Sequence, residues 1–206
     1  MKVITLLSQK GGAGKTMTAI SLAVAAEMDG ISTAIFDLDP QGSASKWHDR
    51  RTTDTPAVAP MQASRLTEAL ATVKKAGAGL VIIDTAPHSE STALAAARVA
   101  DFILIPCRPD IFDLEAIVVS VDSAHLAKRP YSVLLSAVPS RSTDNEHARE
   151  ALTSIEVMVC PVTITARRSF PRASAQGKSA QEYEPHGKAA FEIATLYAWL
   201  KTSVKL

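Results

Sequence analysis

Eight residues near the N-terminus, Gln9-Lys10-Gly11-Gly12-Ala13-Gly14-Lys15-Thr16, have the types and spacing to hold phosphate. Glycines let consecutive backbone N–H groups turn inward around an anion. A helix opening at the same point adds partial positive charge. Lys15 is placed to reach the β- and γ-phosphates of a nucleotide, and the Thr16 hydroxyl to ligate Mg2+. The ordinary phosphate loop carries a glycine where Gln9 stands; here an extra lysine, Lys10, precedes a Gly-Gly pair. The competing reading is a glycine-rich turn without a ligand. Gly14-Lys15-Thr16 between an apolar run and a helical pattern tells against it, as does the added Lys10-Gly11-Gly12. The loop points to a nucleotide and is silent on what its energy is used for.

Two acidic segments point the same way. One apolar run ends Ile35-Phe36-Asp37-Leu38-Asp39-Pro40-Gln41, another Val81-Ile82-Ile83-Asp84-Thr85-Ala86-Pro87. An apolar strand that delivers a carboxylate to the carboxyl edge of a sheet can hold Mg2+ through water. Asp84 is assigned that role, Asp37 supports the magnesium shell, and Asp39 orients the attacking water. The bland alternative makes all three surface turn aspartates.

The elements that must position these groups alternate along the chain. Apolar β-branched runs predict strands over Lys2–Ser8, Thr33–Asp37, Leu80–Asp84, Phe102–Pro106, Tyr131–Ala137 and Val157–Thr163, with Ala57–Met61 compatible with a short one. Helical patterns cover Lys15–Met28, Arg65–Lys75, Ser91–Ala100, Leu114–Ala127, Asp144–Ser154 and Gly187–Lys201, and Gly30 reads as a helix stop. Strands apolar almost throughout are covered on both faces. Repeated β-then-α order argues for an α/β, doubly wound, mostly parallel sheet flanked by helices, with ligands at the strands' carboxyl ends. A single domain over residues 1–206 is expected, with the Pro/Thr/Ala stretch Thr52–Ser64 as a surface connection.

Composition narrows the field. Apolar residues make up 47% of the chain, yet no apolar run approaches the roughly 20 residues that span a bilayer. Met1 leads directly into Val3-Ile4-Thr5-Leu6-Leu7, which reads as a core strand rather than a signal peptide. Cys107 and Cys160 have no metal-type spacing and read as buried thiols of a reducing cytoplasm. The net charge of +1 creates no global field, so a nucleic-acid partner must be held by a local patch.

Lys10–Thr16, Asp37-Leu38-Asp39-Pro40-Gln41 and Ile83-Asp84-Thr85-Ala86-Pro87, in this order and spacing, resemble the ParA/MinD family of deviant Walker A ATPases. Ile105-Pro106-Cys107-Arg108-Pro109, followed by Asp113-Leu114, is similar to the family's segment near the adenine base. The resemblance implies ATP and Mg2+ as ligands, with Lys10, Lys15 and Asp39 catalytic. The nucleotide would be held by Lys10, Gly11, Gly12, Ala13, Gly14, Lys15, Thr16, Met17, Pro106, Arg108 and Pro109, and the metal side formed by Thr16, Asp37 and Asp84. It implies an ATP-dependent sandwich homodimer in which Lys10 reaches the partner subunit's phosphates, and slow hydrolysis stimulated by a partner protein. Met17 stands where many relatives have a second threonine, and Ser136-Ala137-Val138 lacks the Asn or Arg that contacts the base in some of them.

Within the family the chain is most similar to short ParA-type partition ATPases, which lack an N-terminal helix-turn-helix domain. Sequence-specific autorepression is therefore not expected. The implied partners are a centromere-binding ParB-type or ribbon-helix-helix adaptor and non-specific DNA, and the implied location is cytoplasmic and nucleoid-associated. Arg167, Arg168, Arg172 and Lys178 lie in a window without an acidic residue, Ile164–Ala180, and are assigned to DNA phosphates; Arg141 is a further candidate. Solvated surface charge is the alternative for that window.

Three other branches compete. The same ATPase can position a protein cargo, such as a chemosensory array or a carboxysome-like assembly, with identical catalytic residues. A MinD-like membrane ATPase needs a basic amphipathic C-terminal helix, whereas here only Lys201 and Lys205 are basic, so no membrane partner is expected. A nitrogenase reductase-like protein needs interface cysteines for a shared cluster, and neither cysteine is suitably placed.

Overall fold

The computed structural model of the chain describes residues 1–140 and 144–206. Among the described residues seven strands form one sheet: β1 Lys2–Leu6, β2 Thr33–Asp37, β3 Ala57–Pro60, β4 Leu80–Asp84, β5 Phe102–Cys107, β6 Tyr131–Val138 and β7 Val159–Thr165. Their order is β3-β2-β4-β1-β5-β6-β7, and every pairing is parallel. The helices between the strands are α1 Lys15–Met28, α2 Ser43–His48, α3 Leu66–Lys75, α4 Glu90–Val99, α5 Ile111–Ala127 and α6 Asp144–Ser154, and after β7 come α7 Ser169–Ser174, α8 Ala180–Tyr183 and α9 Lys188–Val204.

The period of two along the central strands distributes side chains between two cores. Ile4, Leu6, Ile82 and Leu104 pack with α1 and α9 on one face. Val3, Val81 and Ile83 meet α3 and α4, and Ile103 and Ile105 meet α4 and α5, on the other. Each such side chain contributes about 1.5–3 kcal/mol relative to exposure. The α1 sequence is rich in alanine, and ten of its residues are buried, because it lies between the sheet and α9. Its end is set by Gly30 at φ 77°, whose N–H donates to the Glu27 carbonyl. Proline appears in both edge strands, Pro60 in β3 and Pro161 in β7, where a missing N–H costs no interior ladder bond.

The sheet is the expected one, and several boundaries differ. The first strand stops at Leu6, because Ser8 onward turns into the phosphate loop. The last strand runs two residues later than predicted, to Thr165. Within the Thr52–Ser64 connection, the short strand compatible with Ala57–Met61 forms as β3, Ala57–Pro60, and a 3-10 turn follows at Ala63–Arg65. Helices α2, α7 and α8 carry no sequence signal, being four to six residues long and too short for a periodic one. Among the described residues, no helix is long and apolar enough to cross a membrane.

Candidate nucleotide site

The phosphate loop joins β1 to α1 at the centre of the sheet. Gly12 and Gly14 adopt φ 75° and 90°, the left-handed region that a side chain resists. Lys15 is 6% exposed, and its Nζ donates to the carbonyls of Ser8 and Lys10 at 3.0 Å each. Burial lowers its pKa, while the charges of Asp84 and Asp39 pull it back up. The ammonium is thus held across the loop at its own backbone, ready to exchange two carbonyls for phosphate oxygens. Lys10 is half-buried and lines a narrow crevice with Pro106, Asp113 and Ile117.

The acidic groups arrive from neighbouring strands. In the β2–β4 register Asp37 lies opposite Asp84, and β4 also flanks the loop-bearing β1 with Leu6 opposite Asp84. Asp84 is fully buried, and among the described residues neither of its carboxylate oxygens has a hydrogen-bond partner. Burial pushes its pKa up to about 7, opposed by the nearby Thr16 hydroxyl and the Lys15 ammonium and reinforced by Asp37 and Asp39. A buried carboxylate without a donor is costly unless something supplies charge or protons. A hydrated divalent cation beside Thr16 does both, so these residues fit Mg2+. Among the described residues no cluster of three His, Cys, Asp or Glu could hold a metal alone.

Asp37 is engaged differently. Its Oδ1 accepts from the Asp39 N–H at 3.1 Å, and its Oδ2 accepts from the Ser45 N–H at 3.0 Å and the Ser45 hydroxyl at 3.1 Å. It ties the Asp39 loop to the first turn of α2. Asp39 is half-buried, with Oδ1 accepting from the Gln41 N–H at 2.9 Å and its carbonyl accepting from the Gly42 N–H at 2.8 Å. Among the described residues its other carboxylate oxygen accepts no hydrogen bond, which leaves it available for a water.

Beyond β5, the Arg108 guanidinium donates from Nε to the Gly12 carbonyl at 2.9 Å, and Nη2 reaches the same oxygen. A Cβ on Gly12 would collide with that guanidinium. Arg108 therefore sits on the phosphate loop itself. The Ser136 hydroxyl holds the loop from β6, donating to the Ala13 carbonyl at 2.6 Å. Cys107 and Cys160 are buried thiols whose pKa values burial pushes up to about 12 and about 11, so neither is a ready nucleophile.

The basic segment lies around α7. Arg168, Arg172 and Lys178 are exposed. Arg167 is paired with Glu192 of α9 through Nε at 3.1 Å and Nη2 at 2.5 Å. Arg141 lies outside the described residues. The last helix packs on the molecule rather than standing free. Its Trp199 meets Phe102 edge-on at 5.9 Å, and Lys201 and Tyr197 both reach Asp29.

Ser45 and Ser136 are the site residues that the sequence did not reveal. Each acts on a partner distant in the chain, and a lone serine carries no motif. The same holds for the contact of Arg108 with Gly12.

Residues 4–180 match the family model described as the CobQ/CobB/MinD/ParA nucleotide binding domain. The chain belongs to this family. Its match runs through the loop, all three aspartates and the α7 segment. Among relatives, the maintenance of carboxysome distribution protein A of Gloeobacter kilaueensis is 34% identical over 95% of this chain and 90% of that protein. Protein IncC of Escherichia coli is 27% identical over 100% of this chain and 71% of its own length. In fold, the MinD of the Aquifex aeolicus MinC:MinD complex superposes with a TM-score of 0.78 at 16% identity, covering 97% of this chain and 96% of that one. The Pyrococcus horikoshii septum site-determining protein MinD, solved with Mg-ADP, gives 0.75 at 18% identity, covering 97% and 95%. The parallel sheet flanked by helices is therefore the architecture of the MinD structures as well.

Proposed function

We propose that this chain is an ATP-dependent switch that hydrolyses MgATP slowly, dimerises around it, binds DNA without sequence preference and drives plasmid or chromosome partition. The observation that carries the ATP part is the unpartnered, buried Asp84 carboxylate between Lys15 and the Asp37–Asp39 loop. Bound MgATP supplies the reactive phosphoryl group and the cation that offsets Asp84.

The residues of the chain then do four things. Loop N–H groups from Gly11 to Thr16, with the α1 N-terminus, hold phosphate oxygens. Lys15 leaves the Ser8 and Lys10 carbonyls to neutralise the transferring group. The free oxygen of Asp39 orients a water, with Asp37 and Ser45 fixing its approach. Lys10 completes the partner subunit's site, so loss of the terminal phosphate removes the interaction that favours the dimer.

DNA binding is supported by the exposed Arg168, Arg172 and Lys178, and the partition role by the likeness to the chromosome-partitioning ATPase Soj of Thermus thermophilus, 30% identical over 55% of this chain. A ParB-type or ribbon-helix-helix adaptor is the implied stimulator, and the nucleoid the implied location. A second reading keeps the switch and changes the cargo to a protein assembly; the 34% identity to a carboxysome distribution protein favours it.

The experiment is co-sedimentation with random-sequence duplex in ATP, in ADP and without nucleotide. Binding in ATP alone is expected. Absence of binding in every state, with ATP occupancy verified, overturns the DNA reading and leaves the ATPase. A binding screen against the proteins encoded beside this one then separates partition from assembly positioning.

A further inference from the structure

Helix α2 connects two regions that the chain's motifs treat separately. Its first turn holds Asp37 through Ser45. Its far end is fastened to the α7–α8 segment: Trp47 Nε1 donates to the Lys178 carbonyl at 3.1 Å, and Arg50 Nε to the Ser174 carbonyl at 3.2 Å. Arg51 stacks on Trp47 at 4.5 Å and pairs with Glu182 at 2.8 Å, which cancels the nearest carboxylate of α8.

Between α2, α1 and the α7–α8 segment lies an open cleft of about 320 Å³. Lys46, Arg50 and Lys178 line it, and among the described residues its lining contains no carboxylate. All three side chains are exposed, and Lys46 has no side-chain hydrogen bond among the described residues. The volume corresponds to roughly ten waters at liquid density, enough for a phosphodiester and its hydration. Three cations with no anion between them, on a rigidly tied frame, form a seat for a backbone phosphate.

We propose that DNA phosphate binds in this cleft, and that Lys46 of α2 and Arg50 just after that helix contact DNA together with Lys178. The proposal rests on the DNA reading above and extends it to a helix that no basic motif marks. The same chemistry could take the phosphate of a free nucleotide, since Thr16 and Met17 border the cleft. Nucleotide affinity separates the two sources.

The test is fluorescence anisotropy with random duplex in saturating ATP, repeated over a salt series. Variants are Lys46→Gln alone and Lys46→Gln with Arg50→Gln. The double variant is expected to lose roughly tenfold or more in DNA affinity at fixed salt. The slope of log K against log salt should shrink by about 0.9 for each phosphate that is no longer neutralised. The single variant, which breaks no internal bond, should show a smaller change in the same direction. ATP affinity and ATP-dependent dimerisation should be unchanged in both. Wild-type DNA affinity and slope in the double variant, with Arg168→Ala still impaired, would overturn the cleft and leave DNA binding intact. A fall in ATP affinity would assign the cleft to nucleotide and overturn it also. No DNA binding by the wild-type protein would overturn both readings.

Discussion

The acidic edge of the sheet and the basic segment around α7 are built on opposite terms. At the sheet edge, charges are few, buried and held: Lys15 by two carbonyls, Asp37 by three donors, Asp84 by register alone. Around α7 Arg168, Arg172 and Lys178 are exposed on long side chains, and among the described residues only the half-buried Arg167 is tied to a partner. The first arrangement costs desolvation and gives fixed geometry, which phosphoryl chemistry requires. The second costs little and gives no geometry, which a sequence-blind polyanion interaction does not need. One chain thus separates precision from adhesion by burial.

Substitutions should reproduce that contrast in graded form. Lys15→Ala should have the largest effect, weakening ATP binding by about 100-fold or more in a calorimetric titration; wild-type affinity would remove the phosphate-loop assignment. Asp39→Ala should bind ATP and dimerise yet lose about 100-fold in turnover. Unchanged single-turnover rates would mean that another group orients the water.

Asp84→Asn probes the cost of burial itself. The folded pKa of Asp84 is raised, so the metal-free protein binds more protons than its unfolded chain between about pH 4 and 7, and stability falls as pH rises through that window. In EDTA at pH 8 the variant should be more stable than wild type by about 1–3 kcal/mol in urea unfolding, and the advantage should vanish near pH 4. With MgATP the order should reverse. An equal pH dependence in both proteins would show Asp84 to be solvated.

The smallest effects belong to the basic segment. Arg168→Ala and Arg172→Ala should each flatten the salt dependence of DNA binding by about 0.9 in slope, uniformly across sequences. Arg167→Ala should change that slope less and instead lower stability by about 0.5–1 kcal/mol, because its charge is already spent on Glu192. Equal slopes for Arg167→Ala and Arg168→Ala would show that DNA displaces the Glu192 pair.

The same contrast explains what was legible. The loop and the three aspartates are strand-end motifs, so a few adjacent residues state both the fold and the chemistry. Six strands of the sheet followed from apolar runs, and the short edge strand β3 was only allowed by its sequence. Helix α2 did not, because its six residues are anchored by Trp47 and by partners more than a hundred residues away. The Arg167–Glu192 pair, 25 residues apart, makes one of four equivalent-looking cations unlike the rest. Charge can be counted along a chain, whereas its neutralisation is a three-dimensional fact.

The central position of β1 has a consequence for synthesis. Its neighbours are β4 and β5, so β1 waits until residue 107 has been made before both its edges are paired. Until β4 has been made both edges of this apolar strand are open, and until β5 follows one of them still is. Such non-local pairing slows folding and exposes sticky edges. The ribosome-bound chain therefore carries a phosphate loop long before it carries a nucleotide site.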